Sequence, residues 1–327
     1  MVRRFFFVFP IFLALLGLIA LGVSTLDHAT VLDHLNRAAA DGNVDSYSAG
    51  LHGQIQGNFR VAALILGAFA VCMFLLRDQL TIWFTSEGGI ARFITEAKKL
   101  KRDYAKRTSK GHKQMVLLIV LVGVILRCVM LFQPITYDEA FTYTYFATRP
   151  LYIILSDYSY PNNHVLNTIL INLFTSILGV SKFTVRLPAF IAGVACLPLF
   201  YMFVRHMFNR YIALVALAFV ASSPRLIEYS ALGRGYAITW LCLILALLLG
   251  RRFAKENDLV SAMLIGVVCA IGMWAVPTMV YPALMIYLWL ILYILNKYKD
   301  SRIDRVWNWL GSIIVFVILS LLLYAPM

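Results

Sequence analysis

The chain has 327 residues, 61% of them hydrophobic and only 14% charged, with a net charge of +13 and a mean hydropathy of +0.80. A soluble domain carries an apolar share nearer about half, so this composition excludes one and fits a polytopic membrane protein. The positive excess does not point to nucleic acid, because ten of the 29 Lys and Arg lie between Arg77 and Lys113, beside an apolar run, where anionic lipids of a cytoplasmic leaflet are the natural partner.

Residues 5–24, behind Arg3 and Arg4, form the first apolar run; it reads as an anchor, with a signal peptide as the alternative. Residues 25–58 carry Asp27, Asp33, Asp41 and Asp45 against Arg37, the balance of an outside loop. Its histidines, His28, His34 and His52, lack metal-ligand spacing and read as solvated loop residues. A second run, Phe59 to Leu76, returns to the cytoplasm. It leads into residues 87–107, where Ile90, Phe93, Ile94, Ala97, Leu100 and Tyr104 recur at helical spacing among Lys and Arg. That pattern predicts an amphipathic helix on the membrane surface, or one that binds a partner.

A third run, Met115 to Phe132, carries the chain out and delivers Thr136-Tyr137-Asp138-Glu139. Arg127 lies inside that run. A guanidinium in lipid is expensive, so it either marks a functional site or snorkels to the surface. Residues 163–179 then decide the topology. Leu166, Ile169, Leu170, Leu173, Phe174, Ile177 and Leu178 share one face; Asn167, Thr168, Asn172, Thr175 and Ser176 share the other, which predicts a surface-lying amphipathic helix. If it does not cross, the nine positive residues downstream at 205, 210, 251, 252, 255, 297, 299, 302 and 305 are cytoplasmic, against four downstream and outside at Lys182, Arg186, Arg225 and Arg234. Residues 134–186 are therefore one extracytoplasmic loop. The remaining spans are Leu187 to Val204, Tyr211 to Ser223, Tyr236 to Gly250, Leu259 to Ala275, Thr278 to Leu295 and Val306 to Tyr324. The expected fold is an all-α polytopic membrane protein of about nine transmembrane helices, N-terminus inside, whose long outer loop carries juxtamembrane helices.

Three polar clusters converge on the outer face in this topology: Asp138-Glu139, then Asn163-His164, then Tyr229 with Arg234-Gly235-Tyr236. A carboxylate can take the proton of an attacking hydroxyl or amine. An arginine at a helix start suits a phosphate leaving group, because charge and free N–H groups both favour an anion. Base plus phosphate site predicts transfer from a phosphate-activated donor, with the apolar bundle holding a lipid tail. Each residue has a structural alternative. Asp138 is also a natural N-cap for a helix beginning near Ala140, and Glu139 suits a helix first turn. Arg234 is placed to snorkel, His164 to satisfy a loop carbonyl, and the boundary tyrosines and tryptophans to form an aromatic belt.

The string "YDEA", then "PNNH" and an amphipathic helix, then "VRLPAFIAGV", then "SP…EYS…RGYA" resembles the membrane-embedded type C glycosyltransferases. The pattern is similar to their dolichyl-phosphate-mannose protein mannosyltransferase and aminoarabinose transferase branch, over about residues 115–327. The resemblance implies an inverting transferase acting outside the cytoplasm, at the plasma (inner) membrane, on a polyprenyl-phosphate-linked sugar. It implies Asp138 and Glu139 as the catalytic acid pair, and Arg234, Tyr236, Asn163, His164, Tyr229 and Arg127 around the donor's phosphate and sugar. It requires no cofactor, although two adjacent carboxylates suit Mg²⁺ or Mn²⁺. Expected partners are the lipid-linked sugar, a lipid, glycan or protein acceptor, and anionic membrane lipids. Residues 1–114 stand apart as an extension of two spans, the outside loop 25–58 and the basic helix 87–107. The core 115–327 stops just beyond a span where family members continue, which implies a C-terminally incomplete core or a partner subunit. Two other classes stay open: a non-catalytic subunit of the same fold, and a lipid transporter or flippase. Polar residues gathered at one face rather than mid-membrane weigh against the transporter.

Overall fold

The structure is a computed structural model that describes residues 2–38, 44, 47–78, 80–81, 95, 98, 102, 108–298 and 301–327. Among the described residues all regular structure is helical. The chain divides into two compact units, Met1–Gly89 with Leu321–Met327, and Ile90–Ser320. Apart from Thr95, Lys98 and Arg102, the amphipathic segment expected at 87–107 lies outside the described residues.

In the first unit, α1 (Val2–Val23) packs along α3 (Ala49–Leu75), with α2 (His28–Ala38) in the connection. Phe6, Leu13, Ala70 and Met73 form the seam. Helix α3 starts ten residues before the apolar run, because the Ser48 side chain caps it by accepting the Leu51 N–H. His28 and His52 are not solvated as expected. His28 Nε2 lies 3.2 Å from the Tyr47 carbonyl, and the Tyr47 hydroxyl lies 2.8 Å from Nδ1 of the buried His52.

The second unit is built around α8 (Lys182–Met207). It packs against α4 (Lys110–Met130), α7 (Val165–Leu178), α9 (Arg210–Ser222), α10 (Pro224–Ser230) and α11 (Tyr236–Glu256). Between α4 and α7 lie the short α5 (Tyr137–Phe141), a π-helical turn Thr142–Ala147, and α6 (Leu151–Ser156); beyond α11 come α12 (Leu259–Ala275), α13 (Val280–Lys297) and α14 (Arg302–Tyr324). Leucines and phenylalanines such as Leu117, Phe219 and Leu292 stay exposed on the flanks, as lipid-facing positions do.

Seven helices among the described residues are long and apolar enough to cross a membrane, eight if the pair α9–α10 is one span. The expected nine is not reached by length. The run at 210–222 stops where Ser223-Pro224 bends the chain by 63°, and α12 has only 17 residues. The bend also accounts for Arg127, which is 1% exposed and does not snorkel. Its guanidinium donates to the carbonyls of Ala221 (3.2 Å) and Val220 (3.4 Å), which the end of α9 leaves unpaired, and to Gly123 O and Ser230 Oγ.

Helix α7 is amphipathic as the pattern requires, with its polar face inward. Asn167, Thr168 and Thr175 are buried, while Leu173, Ile177 and Leu178 are exposed. The reason is unpaired backbone. Asn167 Nδ2 donates to Gly233 O at 3.0 Å, and Asn172 Nδ2 to Ala147 O at 2.8 Å, so polar side chains satisfy carbonyls that no helix can.

Candidate active site

Helix α5 is started by Thr136, not by Asp138. Thr136 and Glu139 form a reciprocal capping box in which the Thr136 N–H donates to Glu139 Oε2 at 2.9 Å. The cap turns the two neighbouring carboxylates apart. Glu139 is 0% exposed, whereas the Asp138 side chain is 59% exposed.

Glu139 is fully engaged. Arg186 Nε donates to Oε1 and Nη2 to Oε2, each at 2.7 Å, and the Gly233 N–H donates to Oε1 at 2.8 Å. Arg186, 1% exposed, spends its remaining donors on the carbonyls of Leu131, Gln133 and Pro134. Burial opposes ionisation of Glu139, but the Arg186 hydrogen bonds, with those from Thr136 and Gly233, outweigh it and hold the carboxyl below its ordinary value. This pair ties the end of α4, the start of α5 and α8 to the 231–235 turn. A β-carbon on Gly233 would stand 2.9 Å from Val185 Cγ1, so only glycine brings that N–H to Glu139.

The same turn presents Arg234 to Asp138. Arg234 is 6% exposed, its Nη1 lies 3.7 Å from Asp138 Oδ2, and its Nε and Nη1 are buried without a hydrogen-bond partner. It does not snorkel. Tyr236 lies beneath it, 5.8 Å from guanidinium carbon to ring centre. His164 sits edge-on to Tyr236 at 5.1 Å, and Tyr229 packs on Tyr236 at 4.8 Å. His164, 3% exposed, satisfies no loop carbonyl with its ring; its Nδ1 lies 2.9 Å from the Gly235 nitrogen. Burial, then the Arg234 charge, push its pKa down to about 3, so it is neutral at physiological pH.

Asp138, His164, Tyr229, Arg234 and Tyr236 thus form one cluster. Asn163 stands behind it, bonded to the carbonyls of Ile154 and Asp157, and its neighbour Asn162 reaches Asp138 at 3.4 Å. Arg127 faces the α9–α10 bend instead. It lines a cavity of about 190 Å³ that runs beside Cys196, Tyr229, Trp240 and Leu247 and is walled almost wholly by apolar groups. Sequence reasoning missed Arg186 as a site residue; its signal was an arginine immediately before a proline-bearing apolar run, "VRLP".

A polytopic all-helical protein with a carboxylate facing an arginine of unfilled hydrogen-bonding capacity has the parts of a membrane transferase. Residues 165–324, just under half of the chain, match the model of the dolichyl-phosphate-mannose-protein mannosyltransferase family. That family consists of glycosyltransferases, so the match supports the resemblance to type C glycosyltransferases, with sugar transfer as the coarse activity. Arg186, Tyr229, Arg234 and Tyr236 fall inside the match; Asp138, Glu139, Asn163 and His164 precede it. Neither a curated protein nor a solved structure matches the chain.

Proposed function

We propose that this protein transfers a sugar from a polyprenyl-phosphate-linked donor to an acceptor on the extracytoplasmic face of the plasma (inner) membrane, with inversion at the anomeric carbon. The observation that carries this is the pairing of an accessible carboxylate, Asp138, with a buried arginine whose Nε and Nη1 lack acceptors, 3.7 Å away. The acceptor's O–H or N–H attacks the anomeric carbon and Asp138 takes its proton. The bond from that carbon to the phosphate oxygen breaks, and the electron pair leaves with the polyprenyl phosphate, whose charge Arg234 meets. The apolar cavity beside Tyr229 and Trp240 suits a prenyl chain, and Tyr229, which lines it, packs on Tyr236, which in turn lies against Arg234.

In this mechanism Glu139 acts as a positioning residue rather than a base, since both its oxygens are taken. Glu139 is then also no ligand for a shared metal, and transfer by this route needs none. The charge count supports the extracytoplasmic side, and residues 1–114 are proposed as an extension that faces anionic lipid. The test is transfer by purified protein supplied with polyprenyl-phosphate sugars. Asp138→Asn should lower turnover ~100-fold or more while the protein stays folded; full transfer by this variant would remove Asp138 from the mechanism.

A further inference from the structure

His164 and Arg234 meet in a way that ordinary hydrogen bonding does not explain. The Gly235 N–H can only donate, so His164 Nδ1, 2.9 Å away, is the acceptor. A neutral imidazole whose Nδ1 accepts carries its proton on Nε2. Yet His164 Nε2 lies 3.4 Å from Arg234 Nη2, which is also only a donor. Two N–H groups therefore face each other with no acceptor between them. Arg234 Nε and Nη1 are buried nearby, also without acceptors, and Asp138 Oδ2 at 3.7 Å is beyond hydrogen-bond reach. Buried polar groups are nearly always paired, so a patch of several donors with no acceptor within hydrogen-bond reach suits a ligand that brings the acceptors.

We propose that His164, fixed by Gly235 as the Nε2-protonated tautomer, donates to an oxygen of the donor substrate's phosphate and forms with Arg234 a two-residue oxyanion clamp. This rests on the phosphate-linked donor of the proposed function and adds to it a defined role: His164 is a neutral hydrogen-bond donor that binds and orients the phosphate, and it moves no proton. The neutral state follows from burial and from the adjacent arginine. Tyr236 packs edge-on against the imidazole and helps to fix its orientation.

Two amide substitutions separate this role from a structural one. His164→Asn keeps an acceptor where Nδ1 stands and loses the donor; His164→Gln keeps a donor near Nε2 and loses the acceptor. The measurement is the affinity of farnesyl phosphate, with inorganic phosphate as a second ligand, for full-length detergent-solubilised protein. The clamp predicts that His164→Asn weakens farnesyl phosphate ~10-fold, the scale of one charge-assisted hydrogen bond, and that His164→Gln stays within ~3-fold of wild type. Wild-type affinity in His164→Asn would overturn it. Inorganic phosphate binding as tightly as farnesyl phosphate would keep the clamp but assign it to free phosphate. If the variants do not fold, ¹⁵N-histidine spectra of the wild type decide: an Nε2-protonated ring that shifts on adding farnesyl phosphate supports the clamp, and an Nδ1-protonated or unshifted ring overturns it. Loss of farnesyl phosphate binding in Arg234→Gln, with His164→Asn unaffected, sinks the clamp alone. Wild-type protein that does not bind farnesyl phosphate sinks the proposed function as well.

Discussion

Two carboxylate–arginine pairs stand side by side at the start of α5, and they differ in every physical respect. Glu139–Arg186 is buried at 0% and 1% exposure, bidentate at 2.7 Å, and every remaining donor of Arg186 has a carbonyl. Asp138–Arg234 is open on the carboxylate side, 3.7 Å apart, and leaves buried arginine nitrogens unpaired. A saturated pair holds structure together, because removing either member strands a buried charge. An unsaturated pair has capacity left for a substrate.

The sharpest way to break this contrast is to make the same isosteric change at both neighbours. Glu139→Gln should destabilise the fold by about 3–5 kcal/mol, seen as a loss of thermal stability in detergent, whereas Asp138→Asn should change stability by only about 0.5 kcal/mol. Equal stability losses would collapse the distinction between the pairs. On activity the order reverses for protein that remains folded, with Asp138→Asn the more damaging, ~100-fold in turnover.

A smaller effect is expected from Arg234→Lys, which retains charge but not the guanidinium fork. It should raise KM for the lipid-linked donor ~10-fold with a lesser change in kcat. An unchanged KM would place the phosphate elsewhere.

A last effect concerns pH. His164 sits at about 3, below the ordinary 6.5, so the folded site refuses a proton that the unfolded chain accepts. Stability should therefore be flat above about pH 6.5 and fall as pH drops toward 3, by at most about 1.4 kcal/mol per unit from this group. Thermal unfolding at pH 7.5 and 5.5 checks it. The drop should be smaller in His164→Asn than in wild type, and equal drops would assign the sensitivity to other groups.

Much of this was legible along the chain. Apolar runs announced most of the spans, because a helix in lipid must satisfy its backbone internally and so writes its length into composition. The pattern at 163–179 announced an amphipathic helix, and "YDEA", "PNNH" and "RGYA" named residues that the fold gathers into one candidate site. The separate fates of Asp138 and Glu139 were less legible, since adjacent residues in a helix differ by 100° in direction and only the surroundings say which direction is inside. Likewise Arg127, Arg186 and Arg234 are alike as letters. One caps the carbonyls at a helix bend, one saturates a buried glutamate, and one is left with open donors.

What the sequence determined alone is local: helix lengths, caps such as Thr136 and Ser109, and the break at Ser223-Pro224, each set by side chains within a turn or two of the backbone they act on. The tertiary structure decided the pairings across 47, 94 and 71 positions, Glu139 with Arg186, Glu139 with the Gly233 N–H, and His164 with the Gly235 N–H. Those depend on how α8 packs among its neighbours and on where the turn before α11 comes to rest. Burial makes each such contact strong, and burial is a property of the packed bundle rather than of any one segment.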